Sequence, residues 1–163
     1  MRTAVADTSP LNYLVLIGAI DVLPRLFEAV IVPDAVKAEL LHARAPAAVR
    51  HWAAAPPPWL RVAHALPAAG AGLDHLDAGE RAVIALALSL QPDFVLIDER
   101  AGVVAARAQG LEVLGTLGLL DRAARAGLID LSGAVAALKA TNFHAPPSLF
   151  GALLARHQKR QAP

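Results

Sequence analysis

The apolar residues of this chain fall into short unbroken runs set between longer stretches of helical spacing. The first run, Thr3–Ala6, ends at Asp7-Thr8-Ser9-Pro10. No polar residue alternates within it, so it reads as a strand covered on both faces. Ser9 suits a helix N-cap, with Pro10 at the first helical position. Leu11, Leu14, Val15 and Ile17 carry that helix to Gly18. A second short helix is expected over residues 20–27, bent or broken at Pro24. Residues 29–32 form the next strand, closed by Pro33. Asp34 then caps a helix, DAVKAELLHAR, whose apolar side carries Val36, Leu40 and Leu41. Ala47–Ala54 makes another short helix.

Three consecutive prolines, Pro56 to Pro58, fit neither a helix interior nor a central strand. Residues 59–63 read as a short edge strand, and residues 68–73, rich in Ala and Gly, as a flexible loop. A long helix spans residues 77–90. Phe94-Val95-Leu96-Ile97 is a buried strand that ends at Asp98-Glu99. A helix over 102–109 stops at Gly110, and a strand over 111–114 stops at Gly115. Helices follow over 117–126, 132–139 and 148–156, and the polar tail HQKRQAP is expected to fray. Strands that are apolar throughout and alternate with helices predict a parallel sheet covered on both faces. Residues 1–156 are expected to form one domain and 157–163 a tail.

Composition narrows the class. The chain has 163 residues, 56% of them hydrophobic and 18% charged, with a mean hydropathy of +0.47. Such values exclude wholesale disorder and predict a large core, with an apolar face kept for a partner. A membrane span needs about 20 mostly apolar residues. The best candidate, residues 82–90, is stopped by Gly79-Glu80-Arg81 and by Gln91-Pro92-Asp93. The absence of cysteine excludes disulfides, thiolate metal sites and a cysteine nucleophile. The first ten residues lack the basic-then-apolar pattern of a secretory signal, and a cytoplasmic location is expected. Fifteen basic against fourteen acidic residues give a net charge of +1. Bulk charge therefore decides nothing about nucleic acid, and only a local cluster could.

In an open parallel sheet, ligands bind beyond the carboxyl ends of the strands. Asp7 and Asp98 stand at such ends, with Glu99 beside the latter. Glu39 and Glu80 lie on helices that could border the same crevice. Four clustered carboxylates repel one another unless a cation neutralises them, and a hard cation such as Mg²⁺ takes oxygen ligands of this kind. A bound ion there could activate water against a phosphodiester. Each acid also has a plainer reading. Asp7 before Ser-Pro is a turn or capping residue. Asp77-x-x-Glu80 matches a capping box. Glu39 is a solvated helix position, and Asp98-Glu99 could cap the next helix. The conjunction carries the signal.

The order DTSPLNYL, VPDAVKAEL, LDAGERAVIALAL, DFVLIDERAGVVAARAQGLEVLGTLGLLDRA resembles the PIN-domain family, and within it the branch related to VapC-type toxins of toxin–antitoxin pairs. The resemblance covers roughly residues 3–155. It implies a three-layer α/β/α sandwich around a short parallel sheet and a metal-dependent endoribonuclease using Mg²⁺ or Mn²⁺. It carries the acids onto Asp7, Glu39, Glu80 and Asp98, as catalytic residues and metal ligands, with Ser9 supporting the first. It implies an RNA substrate, a cognate antitoxin and a homodimer. Two positions depart from the family pattern. The third acid is Glu80, where VapC-type toxins more often have Asp. The fourth acid usually follows a strand-closing Thr or Ser by two residues. Here Asp98 itself closes the strand and Arg100 stands where the acid would be, leaving Asp98, or else Glu99, as fourth acid.

Arg44 and Arg50, with Arg61, His42 and His51, form a loose basic stretch that could track an RNA backbone or simply be a solvated face. Trp52 and Trp59 could stack bases or pack as anchors beside the prolines. Gly115-Thr116-Leu117-Gly118 lacks the phosphate-loop pattern and reads as a structural connection. A phosphatase of the D-x-D-x-[TV] type is disfavoured, because Thr8-Ser9 follows Asp7. A binding or regulatory protein that keeps the fold with weak or no nuclease activity is the alternative, supported by the shifted fourth acid.

Overall fold

The computed structural model describes residues 2–64 and 72–163. Its centre is a five-stranded, all-parallel sheet in the order β3-β2-β1-β4-β5. The strands are β1 (Thr3–Ala6), β2 (Ala29–Pro33), β3 (Leu60–Ala63), β4 (Phe94–Leu96) and β5 (Val113–Leu114). Helices pack around the sheet: α1 (Thr8–Leu16), α2 (Leu23–Leu26), α3 (Asp34–Leu40), α4 (Ala47–Ala54), α5 (Ala78–Leu90), α6 (Arg100–Ala108), α7 (Thr116–Arg125), α8 (Leu131–Lys139) and α9 (Pro147–Gln161). The result is the three-layer α/β/α arrangement that the apolar runs predict.

β1 is the middle strand. Ala4 stands opposite Val30 on one side and Phe94 on the other. Ala4, Val5 and Ala6 are wholly buried, as are Val95, Leu96 and Ile97. Strands closed off on both faces need no polar alternation, so these runs stand out in the sequence. Small alanines on β1 leave room for Leu11 and Leu14 of α1 and for Val83, Ile84 and Ala87 of α5, all fully buried within one apolar cluster.

Several boundaries depart from expectation. Ser9 is not the cap of α1: Asp7 is, and the helix begins at Thr8. Pro10 then lies in the first turn, where its missing N–H had no partner to lose. Asp34 is the first residue of α3 rather than its cap, which is Pro33. That helix ends at Leu40, four residues short of Arg44. The chain leaves it in tight turns, with His42 N–H on Glu39 O at 3.1 Å and Ala45 N–H on His42 O at 2.9 Å. Pro46 disfavours helix in the residue before it. The tail does not fray at residue 157: α9 continues to Gln161, and Arg160 is fastened to Asp121 at 2.6 Å. Lys, Arg and Gln are good helix formers, so their polarity was a poor guide there. The loop expected over 68–73 lies mostly outside the described residues.

Candidate metal and phosphodiester site

Asp7 is placed by the ladder between the two central strands. Its backbone N–H donates to Leu96 O at 2.9 Å, which fixes the residue at the carboxyl end of β1. Its side chain is buried. Burial is the main reason that its pKa is pushed up to about 7; the Thr8 N–H pulls the other way, and the carboxylates of Glu39, Asp77 and Glu80 raise it further.

Glu39 reaches the same place from α3, although its residue is largely exposed. The Thr8 hydroxyl donates to its Oε2. Gly79, at the start of α5, backs the carboxylate so closely that a Cβ there would overlap Glu39 Oε1. Glu80 follows immediately and is buried. Asp77 and Glu80 form the capping box: Glu80 N–H donates to Asp77 Oδ1 at 2.8 Å, and Asp77 N–H donates to Glu80 Oε2 at 3.1 Å. Burial raises the Glu80 pKa first, and the charges of Asp77, Glu99 and Glu39 add to it. The capping reading of Glu80 is met, and the capped carboxyl group lies within electrostatic reach of Glu39 and Asp7. Gly102 of α6 approaches its far side, where a Cβ would stand 3.3 Å from Glu80 Oε1.

Asp98 sits just past β4 and is held by one residue. Thr116 N–H donates to its Oδ1 at 2.7 Å and the Thr116 hydroxyl to its Oδ2 at 2.6 Å. A Cβ on Gly115 would come within 3.0 Å of Oδ1. The Gly115–Thr116 turn is thus the connection that seats Asp98. Burial still keeps the Asp98 pKa above the ordinary carboxylate value, against both hydrogen bonds and with Glu99 adding to the rise. Glu99 caps α6 without a side-chain bond and is exposed.

The structure therefore brings Asp7, Glu39 and Glu80 into mutual electrostatic contact, with Asp77 and Glu99 at the margin. Asp98 is the most firmly held of the acids, with Thr116 bonded to both of its oxygens, each of which keeps a further lone pair. Thr8 and Thr116 were not singled out from the sequence as site residues. Their signal is positional: one hydroxyl follows the strand-end Asp, the other opens a helix after a strand-ending glycine. Ser9 makes no side-chain hydrogen bond among the described residues. Arg44 lines a cavity of about 290 Å³ next to the acids, together with Thr8, Asn12, Glu39, His42 and Val49. Arg50 is exposed on α4 and does not line it. Trp52 and Trp59 pack on each other with ring centres 6.1 Å apart, as anchors would.

Among the described residues, no three His, Asp or Glu side chains form a ready-made metal-binding group. The donor chemistry nevertheless suits a hard divalent cation. All the donors are carboxylate oxygens, and no Lys or Arg forms an ion pair with any of the four acids among the described residues. A buried acid cluster without counter-charge is unfavourable, and a cation relieves it.

A parallel α/β/α sandwich with acids at the strand ends defines the class. The comparison with known families goes further: the model of the DUF3368 family, a PIN domain, matches residues 3–159. The chain belongs to the PIN-domain family. Members of that family are in general metal-dependent nucleases. No curated protein matches the chain. No helix among the described residues is long and apolar enough to cross a membrane.

Proposed function

We propose that this protein is a metal-dependent endoribonuclease and the toxin half of a toxin–antitoxin pair. The observation that carries the nuclease reading is the cluster of Asp7, Glu39 and Glu80: carboxylates drawn together, two of them buried, with no Lys or Arg paired to them among the described residues. In this reading Asp7, Glu39 and Glu80 hold Mg²⁺ or Mn²⁺, which supplies an activated water and neutralises the phosphodiester. Thr8 aims the Glu39 carboxylate, and the Asp77 cap aims Glu80. Asp98, seated by Thr116, is the fourth acid, and each of its oxygens keeps a lone pair for the ion. Arg44, in the cavity beside Glu39, faces the RNA backbone. The toxin role, cytoplasmic location, homodimer and antitoxin partner rest on the family resemblance; Leu41, Val62, Val104 and Leu149 offer exposed apolar surface for such contacts.

The test is cleavage of a labelled RNA pool by purified protein with Mg²⁺, Mn²⁺ or EDTA, beside Asp7→Asn. Cuts that need the ion and fall at least about a hundredfold in the variant are expected, the scale of losing an electrostatic catalytic group. One arrangement favours a second reading. Among the described residues the acids are not closed around one point, which suits a PIN-fold binding or regulatory protein with little nuclease activity. Folded, partner-free protein that cuts nothing under any ion would establish that reading.

A further inference from the structure

At the opposite end of the strands from the acids, four arginines gather around two phenylalanines. Arg2 precedes β1, Arg25 lies in α2, and Arg122 and Arg125 lie in the last turn of α7. Phe27 precedes β2 and Phe94 opens β4. The guanidinium carbon of Arg122 is 4.5 Å from the centre of the Phe94 ring, and that of Arg2 is 5.8 Å from the same ring. Two cations thus share one aromatic ring. A cavity of about 320 Å³ is lined by Arg2, Leu26, Phe27, Arg122 and Arg125. A second, of about 370 Å³, shares Arg2, Leu26 and Phe27 with it and adds Arg25 and Glu28.

Few of these arginines are paired, although the Asp93 carboxylate stands beside Phe94 and accepts from Thr3 N–H at 2.7 Å. Among the described residues Arg2, Arg25 and Arg122 make no ion pair, and Arg125 has only Asp121, at 3.8 Å. Asp121 is held more closely by Arg160, at 2.6 Å. Glu28 is the one acid lining either cavity. The C-terminal dipole of α7 accounts for Arg122 and Arg125. It does not account for Arg2 and Arg25, which come from other elements and converge on the same cleft.

We propose that this cleft binds the phosphate of a nucleotide, free or within an RNA strand. The planar guanidinium fork matches phosphate oxygens and is weakly hydrated enough to work against an apolar wall. The cavities are of a size that takes small organic molecules, more than a bare phosphate fills, and half-buried Leu26, backed by the core residue Phe27, supplies an apolar wall for a base. Roughly 16 Å of extended strand separates Arg2 from Asp7, so the cleft is distinct from the acid cluster and stands whether or not the acids cut RNA.

The test is binding to the full chain in EDTA, with AMP, with an oligoribonucleotide lacking a terminal phosphate, and with adenosine as the phosphate-free control. AMP or the oligomer is expected to bind with an affinity that falls as salt rises. AMP binding assigns the cleft to free nucleotides, and binding of the oligomer alone assigns it to strand phosphates. Affinity is expected to drop at least about tenfold in Arg122→Gln and to fall also in Arg25→Gln, an exposed position whose loss leaves the packing on Phe94 intact. Absence of binding by both AMP and the oligomer, adenosine binding as well as AMP, or unchanged affinity in the arginine variants each overturns the proposal.

Discussion

In the proposed reading, Asp7 sets stability against function. Its carboxyl group titrates at 3.8 in an ordinary setting and at about 7 in the folded, ion-free chain. Between those values the unfolded chain has released a proton that the folded chain keeps. The contribution of Asp7 to stability is therefore greatest below pH about 4, falls as pH rises, and levels off above about 7. The full effect has an upper bound on the order of 4 kcal/mol. Asp7→Asn is expected to melt higher than the parent chain at pH 8 in EDTA, with little difference at pH 4. A calorimetric scan at the two pH values checks this, and a variant that melts lower at pH 8 would contradict the assigned burial. Gly79 makes a second case. Its missing Cβ is the space that Glu39 occupies, so Gly79→Ala is expected to displace that carboxylate and depress cleavage with the helix otherwise suited to alanine. A variant that cuts as the parent chain does would show that Glu39 is not required where it stands. From sequence the acids were legible as strand-end and helix positions. The residues that aim them were not, since a hydroxyl or a glycine acquires meaning only from what folds against it.

At the scale of elements, the short loops decide the site more than the helices do. The sequence marks α4 and the capping box of α5 correctly because local rules govern them: a helical run with proline at its border, and Asp and Glu three residues apart. The extent of α3 was misread because an apolar Leu40-Leu41 pair looks like a continuing face, while Leu41 is in fact 40% exposed. The sequence of the Gly115–Thr116 turn suggests a plain connection, yet the turn ties α7 to the end of β4 through Asp98. Thr116→Val keeps the backbone bond and loses the hydroxyl bond to a largely desolvated carboxylate. It is expected to destabilise the chain by about 1.5–3 kcal/mol, whereas Thr116→Ser retains most of the stability. Urea unfolding of the pair reads the difference, and equal midpoints for Val and Ser would show that the hydroxyl contributes nothing.

For the whole molecule, the parallel architecture was the most legible feature, because a sheet buried on both faces writes continuous apolar runs into its strands. The strand order was not legible, since periodicity says which residues are buried and nothing about which strand lies beside which. That order has a consequence in time. β1 needs β2, about thirty residues on, and also β4, which begins at residue 94. Asp7 is hydrogen-bonded through Leu96, and Asp98 waits for Thr116. A fragment of residues 1–90 is accordingly expected to lack a cooperative unfolding transition and any ion-dependent cleavage, and a cooperative melt from it would count against this picture. A ribosome making this chain therefore carries an inert product until β4 has emerged, because only then can Leu96 fix Asp7 among the acids, and any hazard from the cluster begins at that point.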